Sequence, residues 1–350
     1  MIMSDPLLQL VCATLVLLVP CGIVLVAPRS PLRLRAAIAA AVIASTASVV
    51  IDVVSSSVDL AAVVFDAAGA AAFAASVAIL ATPQHGARAA GVIASLWAVL
   101  VYQPVFGAVV SAVPSTVQLV FGAVDFAAVL ATHVSAATVL AVLSWRTGRA
   151  EQAARAQESI PIPRGVLAVA LLVAGGTAWM LGLERVLSES SGRIVLNSVG
   201  GLALGVVVWL LVAQIAGRRS GPDGMVAGFV MAWGALGTGV AFLSPAALIA
   251  SVVLGVASGA AVVVRARERA NRARRFAIGT VIAVVAGGTV LAILADGFGM
   301  AATGSVALIA GQLGAVIGVI VYSIVIAFGM WACLAVVDAL TPRLGPSRVR

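Results

Sequence analysis

Long apolar runs, each about the length needed to cross a bilayer, follow one another along almost the whole chain. An α-helix rises about 1.5 Å per residue, so roughly 20 apolar residues span a hydrocarbon core of about 30 Å. Short breaks rich in Pro, Gly or Arg separate the runs. They predict eleven spans, at about 6 to 27, 36 to 57, 60 to 82, 89 to 111, 117 to 145, 165 to 184, 194 to 217, 225 to 243, 246 to 264, 276 to 296 and 304 to 340.

Composition identifies lipid as the solvent of these runs. Hydrophobic residues make up 62% of the chain, charged residues only 10%, and the mean hydropathy is +1.17. A water-soluble domain cannot cover its surface with so few polar groups. Small and aliphatic residues dominate over aromatic ones, which favours packed helices over a β-barrel. We therefore predict an all-α polytopic membrane protein, with residues 1–350 forming a single transmembrane domain.

The positions of the arginines predict the orientation in the membrane. All 21 basic residues are Arg; 19 lie in loops after odd-numbered spans or at the C-terminus, and only Arg185 and Arg193 lie in the other loops. Basic loops stay on the cytoplasmic side. We expect an inner (plasma) membrane protein with its N-terminus outside and its C-terminus in the cytoplasm. Topology thus explains the net charge of +8, so membrane lipid is expected as a partner and nucleic acid is not.

Two ionisable residues stand out in the fifth span, Asp125 and His133. Burying such groups in a membrane costs several kcal/mol unless a partner or an aqueous cavity receives them. On a continuous helix, eight residues place both on roughly the same side, about 12 Å apart along the axis. That arrangement suits an acid near the outer mouth and an imidazole near the midplane. The structural alternative is an Asp bonded to helix-start amides and a His bonded to a neighbouring backbone group. Asp66, in the third span, is ambiguous.

The sequence does not contain the residue pattern of an enzyme or a metal site. It has two histidines, one of which, His85, falls in a predicted cytoplasmic loop. The three cysteines lie in apolar stretches without C-x-x-C spacing, and no carboxylate pair has hydrolase spacing. We therefore predict no enzymatic activity, no catalytic residue, no metal and no cofactor.

The segment from Asp125 to His133 resembles the motif D-F-A-G-G-x-x-x-H of the Amt/Mep/Rh ammonium transporters, whose histidine is one of two pore histidines. Phe126 and Ala127 also keep their places, while the glycine positions hold Ala and Val. Further stretches follow in the family's order: Leu15 to Gly22, Leu96 to Pro104, Asn197-Ser198 with Trp209, and Gln312 to Asp338.

This resemblance covers residues 6 to 340 and implies a fold of two five-helix halves of opposite orientation plus a last helix. The halves are helices 1–5 (about 6–145) and 6–10 (about 165–296), and the last helix is about 304–340. It also implies a homotrimer, and ammonium or ammonia as the transported substrate.

The same resemblance implies that parts of the family's pore are missing. Val284 stands in place of the second pore histidine. Gly69 takes the position of one gate phenylalanine, with Phe73 one turn away as a substitute, and Val195 takes the second gate position. The sixth-span motif G-F-N reads Ala-Trp179-Met.

Two functions fit these replacements. The first is an ammonium-transporter-like membrane channel whose simplified pore, with Asp125 and His133, still passes ammonia, ammonium or another small neutral gas. The second is a non-conducting paralogue of ammonium transporters with a regulatory or assembly role. An unrelated transporter with a chance resemblance is a third, more remote reading.

Overall fold

The computed structural model describes residues 5–27, 31–54, 59–110, 114–144, 160–218, 220–265 and 272–340, and the regular elements of these ranges are all helices. Within these ranges, nine helices are long and apolar enough to cross a membrane. They are α1 Pro6–Val26, α2 Pro31–Val54, α3 Leu60–Ala81, α4 His85–Val110, α6 Ile162–Gly182, α7 Glu189–Ile215, α9 Pro245–Val264, α10 Arg274–Leu294 and α11 Ala307–Ala335.

Two shorter helical elements complete the series in chain order. The fifth, α5, consists of two segments, Thr116–Phe121 and Leu130–Leu143. The eighth, α8, is Pro222–Gly237. The described chain therefore contains the eleven elements that the apolar runs predict, and the prediction of an all-α polytopic membrane protein is confirmed. Many of the arginines behind the predicted orientation, including those in 145–159, 266–271 and 341–350, lie outside the described residues.

Local chemistry explains where several helices begin and bend. At the start of α1 the carboxylate of Asp5 accepts hydrogen bonds from the amides of Leu7 and Leu8, which satisfies donors that a helix start leaves unpaired. Within α1 the helix is interrupted at residue 17, because Pro20 lacks the N–H that would bond to the carbonyl of Val16. A kink lies between α3 and α4, where Gly86, the second residue of α4, has a positive φ of 76°, a conformation that glycine adopts without a Cβ clash.

The fifth span differs from the continuous helix predicted over 117 to 145. Its first segment ends at Gly122, which has a φ of 68°, and residues 122–128 are not helical. The backbone amides of Phe126 and Ala127 instead donate to carbonyls at the end of α8, those of Thr238 and Gly237. The chain then re-enters the helix through a π-helical turn, Leu130–Val134. The expected one-sided helical spacing of Asp125 and His133 is therefore wrong, because Asp125 precedes the helix that carries His133.

Contacts between the two groups of five helices follow the pairing that an inverted repeat produces. Helix α1 packs against α6, and the second segment of α5 packs against α10. These are equivalent positions in the two groups, and equivalent elements meet at a two-fold axis. Helix α11 lies against α5 and α10. The core of the molecule, and the site described next, lies at this boundary between the groups.

Candidate functional site

A cavity of about 1320 Å³ opens among helix ends on one side of the molecule. We call it the vestibule. Its walls come from the ends of α4, α6, α8 and α10 and the starts of α5 and α11. These ends belong to the side whose loops hold only Arg185 and Arg193. Three partly exposed rings line the vestibule in edge-to-face contact: Phe126 and Phe242 have centroids 5.9 Å apart, and Phe242 and Phe298 5.2 Å.

Asp125 also lines the vestibule, but both of its carboxylate oxygens are engaged. Oδ1 accepts from the amide of Val129 and Oδ2 from the amide of Leu130, each at 2.8 Å. The side chain is buried. This is the arrangement of the structural alternative, an Asp bonded to the first amides of a helix. The carboxylate therefore fixes the start of the segment that carries His133.

His133 lies below this cap, in the π-helical turn, and is 7% exposed. The hydroxyl of Thr132 donates its single proton to the carbonyl of Ala128 at 3.0 Å. In the tautomer that carries its proton on Nδ1, this ring nitrogen donates to Thr132 Oγ1 across a contact of 2.8 Å. A neutral imidazole with its proton on Nδ1 carries a lone pair on Nε2. In this tautomer His133 offers a hydrogen-bond acceptor to its surroundings.

Val284 of α10 lies close to this imidazole. A Cβ built on Gly234 of α8 would be 2.9 Å from Val284 Cγ2 and 3.6 Å from His133 Cδ2. Both side chains therefore border the same small space, which the missing side chain of Gly234 leaves open. Val284 is almost fully buried. The imidazole thus has an isopropyl group near it where the family resemblance implies a second imidazole.

An indole fills the place beside Gly69. A Cβ on Gly69 would stand 2.2 Å from Trp179 Cζ3, a distance no real pair of atoms adopts. Trp179 is fully buried, and its Nε1 donates to the carbonyl of Ala127 at 2.9 Å. Its ring stacks on Phe65 at 5.1 Å and meets Phe73 edge-on at 4.9 Å. The volume that the first gate position lacks is thus supplied by Trp179 from α6.

A second indole connects this cluster to the imidazole. The ring of Trp233, from α8, lies 5.7 Å from Phe73 and 5.3 Å from His133, measured between centroids. Trp179 and Trp233 therefore both pack on Phe73, and Trp233 joins this ring cluster to His133. Val195 is half-buried on α7 and is not among the residues that line the vestibule. Its gate position stays a prediction.

Trp233 is not identified from the sequence, and Trp179 is identified only as a departure from the sixth-span motif. Motif comparison reads each position separately, whereas Gly69 and Trp179 are a matched pair across two helices. A Phe-to-Gly change at one position and a large aromatic at the other would have been the signal.

Arg185 was likewise predicted only as a loop charge. Its guanidinium bonds to both carboxylate oxygens of Asp66, at 2.9 and 3.0 Å, and lies over the ring of Phe65.

Fold and site together define a polytopic helical membrane protein with a buried imidazole between two inverted five-helix groups, below a vestibule on one side. No family model matches the chain, and no curated protein matches it by sequence. Solved structures do match it. The crystal structure of Mep2 from Saccharomyces cerevisiae superposes with a TM-score of 0.77 at 15% identity, covering 98% of this chain and 88% of that one.

Two further structures agree with this result. Mep2 from Candida albicans gives a TM-score of 0.76 at 16% identity, over 98% of this chain and 86% of that chain. A structure described as a sensor Amt protein gives 0.65 at 14% identity, over 95% of each chain. The chain therefore has the Amt/Mep fold, and the resemblance predicted from its motifs is confirmed at the level of fold.

Proposed function

We propose that this protein is an ammonium-transporter-like membrane channel with a simplified pore, and that ammonia or a similarly small neutral molecule is the species that passes. The path runs from the vestibule, past Trp179 and Trp233, to His133. The observation that carries the proposal is the single imidazole of His133 with Val284 beside it. Such a site offers a polar contact on one side only.

Magnitudes favour the neutral species. Burying an ion costs several kcal/mol even after the protein relaxes. One aromatic face returns about 2 kcal/mol by cation–π attraction, and one face of Trp179 is already covered by Phe65. A neutral molecule sheds its water at a much lower cost. Transport is therefore expected to be slow and electroneutral.

Uptake and current measured together test this mechanism. We would compare methylammonium uptake and ammonium-dependent current in a transporter-deleted host for wild type, His133→Ala and Val284→His. Val284→Leu is the matched control, because it adds bulk without nitrogen. We expect uptake without current from wild type, reduced uptake from His133→Ala, and proton-coupled current only from Val284→His. Large ammonium-dependent currents from wild type would refute the electroneutral mechanism.

A second function is favoured by the contacts of Trp179, namely a non-conducting paralogue with a regulatory or assembly role. The indole is fully buried and is held by a hydrogen bond and ring contacts. Such an indole moves less readily than an isolated gate ring. Trp179→Ala separates the two functions. Uptake by both the wild type and Trp179→Ala supports the channel. Uptake by Trp179→Ala alone, or by neither protein, supports the non-conducting paralogue.

We further infer a homotrimer in the plasma membrane, with the vestibule and N-terminus outside. The resemblance to the ammonium transporters implies the trimer, and the position of the vestibule on the side with only two arginines supports the orientation. Native mass spectrometry in mild detergent should give three chains per particle; a stable folded monomer would count against the trimer.

The orientation has a separate test. A cysteine introduced at Ser305, a vestibule residue, should be labelled from outside in intact cells.

A further inference from the structure

The indole N–H of Trp233 is a buried donor with no acceptor in the described part of the chain. The residue is 2% exposed, and its Nε1 has no hydrogen-bond partner among the described residues. Leaving such a donor unpaired costs about 1–3 kcal/mol. By contrast, the indoles of Trp97, Trp179 and Trp209 each donate to a protein oxygen. An unpaired donor at this depth can bind a small ligand that accepts a hydrogen bond.

The N–H edge of this indole faces the broken stretch of α5. A Cβ on Gly237 would lie 3.3 Å from Trp233 Cδ1, the atom bonded to Nε1, and 3.1 Å from the Cβ of Ala127. The carbonyl of Ala127 is already occupied by Trp179. The ring of Trp233 also lies next to the imidazole of His133, with 5.3 Å between centroids and 54° between planes.

Donor and acceptor are thus close together. Two nitrogens bridged by one small molecule stand about 6 Å apart, or two hydrogen bonds of roughly 3 Å. The two rings are neighbours, with 5.3 Å between their centroids. With its proton on Nδ1, His133 supplies the lone pair on Nε2, and Trp233 supplies the N–H. A ligand must accept a hydrogen bond from the indole and donate one to the imidazole.

We propose that Trp233 and His133 together bind one small neutral molecule with a lone pair, ammonia or water, and that the indole N–H makes this site selective against ammonium. Ammonia has one lone pair and three N–H groups, so it satisfies both partners. Ammonium has no lone pair and cannot accept from the indole. Trp233 is therefore a specificity-determining residue. This inference rests on the proposed function and names the polar contact that replaces the second imidazole.

Flux through the full chain in proteoliposomes tests the role of the N–H. An ammonium pulse is applied outside, and an enclosed dye reports alkalinisation as ammonia enters; protein-free vesicles give the background. Trp233→Phe removes the donor, and so does 3-benzothienylalanine at position 233, which keeps the ring shape. We expect both to lower the protein-dependent flux about tenfold, the effect of losing one hydrogen bond. Trp209→Phe, far from the site, should match wild type.

Unchanged flux with the benzothienyl side chain would overturn the inference while leaving the proposed channel standing. If wild type itself gives no flux above background, the channel proposal fails, and a structure then decides the inference. Density for one small molecule should lie within hydrogen-bond distance of Trp233 Nε1. An empty position there would contradict the binding site.

Discussion

Gly69 and Trp179 show at the scale of single residues how this aromatic cluster differs from the Amt/Mep motif pattern. The indole enters the space that a side chain at position 69 would occupy, and the hydrogen bond to Ala127 holds it there. The effect of a substitution at position 69 therefore depends on the side chain at position 179.

Gly69→Ala should lower the thermal stability of the purified protein, because the new Cβ would stand 2.2 Å from the indole. Overpacking of this kind costs about 1–3 kcal/mol. Gly107→Ala is the matched control, since a Cβ there meets nothing within 4 Å. Adding Trp179→Phe should recover much of the loss. Equal melting temperatures for the two alanine variants would show that the indole is not fixed beside Gly69.

At the scale of elements, the sequence predicted the number and order of the helices because the length of an apolar run is a physical requirement of the bilayer. It could not predict the break in α5. The residues of that break, such as Ala123 and Val124, are as apolar as those of a helix, and hydropathy does not distinguish the two. The break depends on carbonyls of α8 more than 100 residues away, together with the carboxylate of Asp125.

Asp125→Asn should loosen the start of the second segment of α5. An amide has one oxygen, so it can replace only one of the two hydrogen bonds to Val129 and Leu130. Hydrogen bonds to a charged group contribute about 1.5–3 kcal/mol each. Faster hydrogen exchange at those two amides, with a lower melting temperature, is expected. Asp59→Asn, at the start of α3, should affect only its own helix end. Unchanged exchange in Asp125→Asn would show that α8 alone holds the break.

At the scale of the whole molecule, one ion pair joins the two five-helix groups at the vestibule. Asp66 of α3 belongs to the first group, and Arg185 follows α6 of the second. The backbone carbonyl of Arg185 also accepts from the amide of Asp5, at the start of α1. Arg185 holds a positive φ of 67°, which costs energy for a residue with a Cβ. Contacts on both its backbone and its side chain compensate for this strain.

Removing one partner of this pair should be costlier than removing both. Arg185→Met leaves the carboxylate of Asp66 buried without its cation, a loss of about 3–5 kcal/mol for a buried pair. The value should fall toward the lower end, because the Arg185 side chain is 26% exposed. Asp66→Asn combined with Arg185→Met removes both charges, so the double variant should melt at a higher temperature than Arg185→Met alone.

Arg193→Met is the control for this prediction. It breaks the exposed pair with Asp296 and should change the melting temperature little. If the double variant melts below both single variants, the pair is not what couples the two groups, and the backbone contact with Asp5 must hold them together.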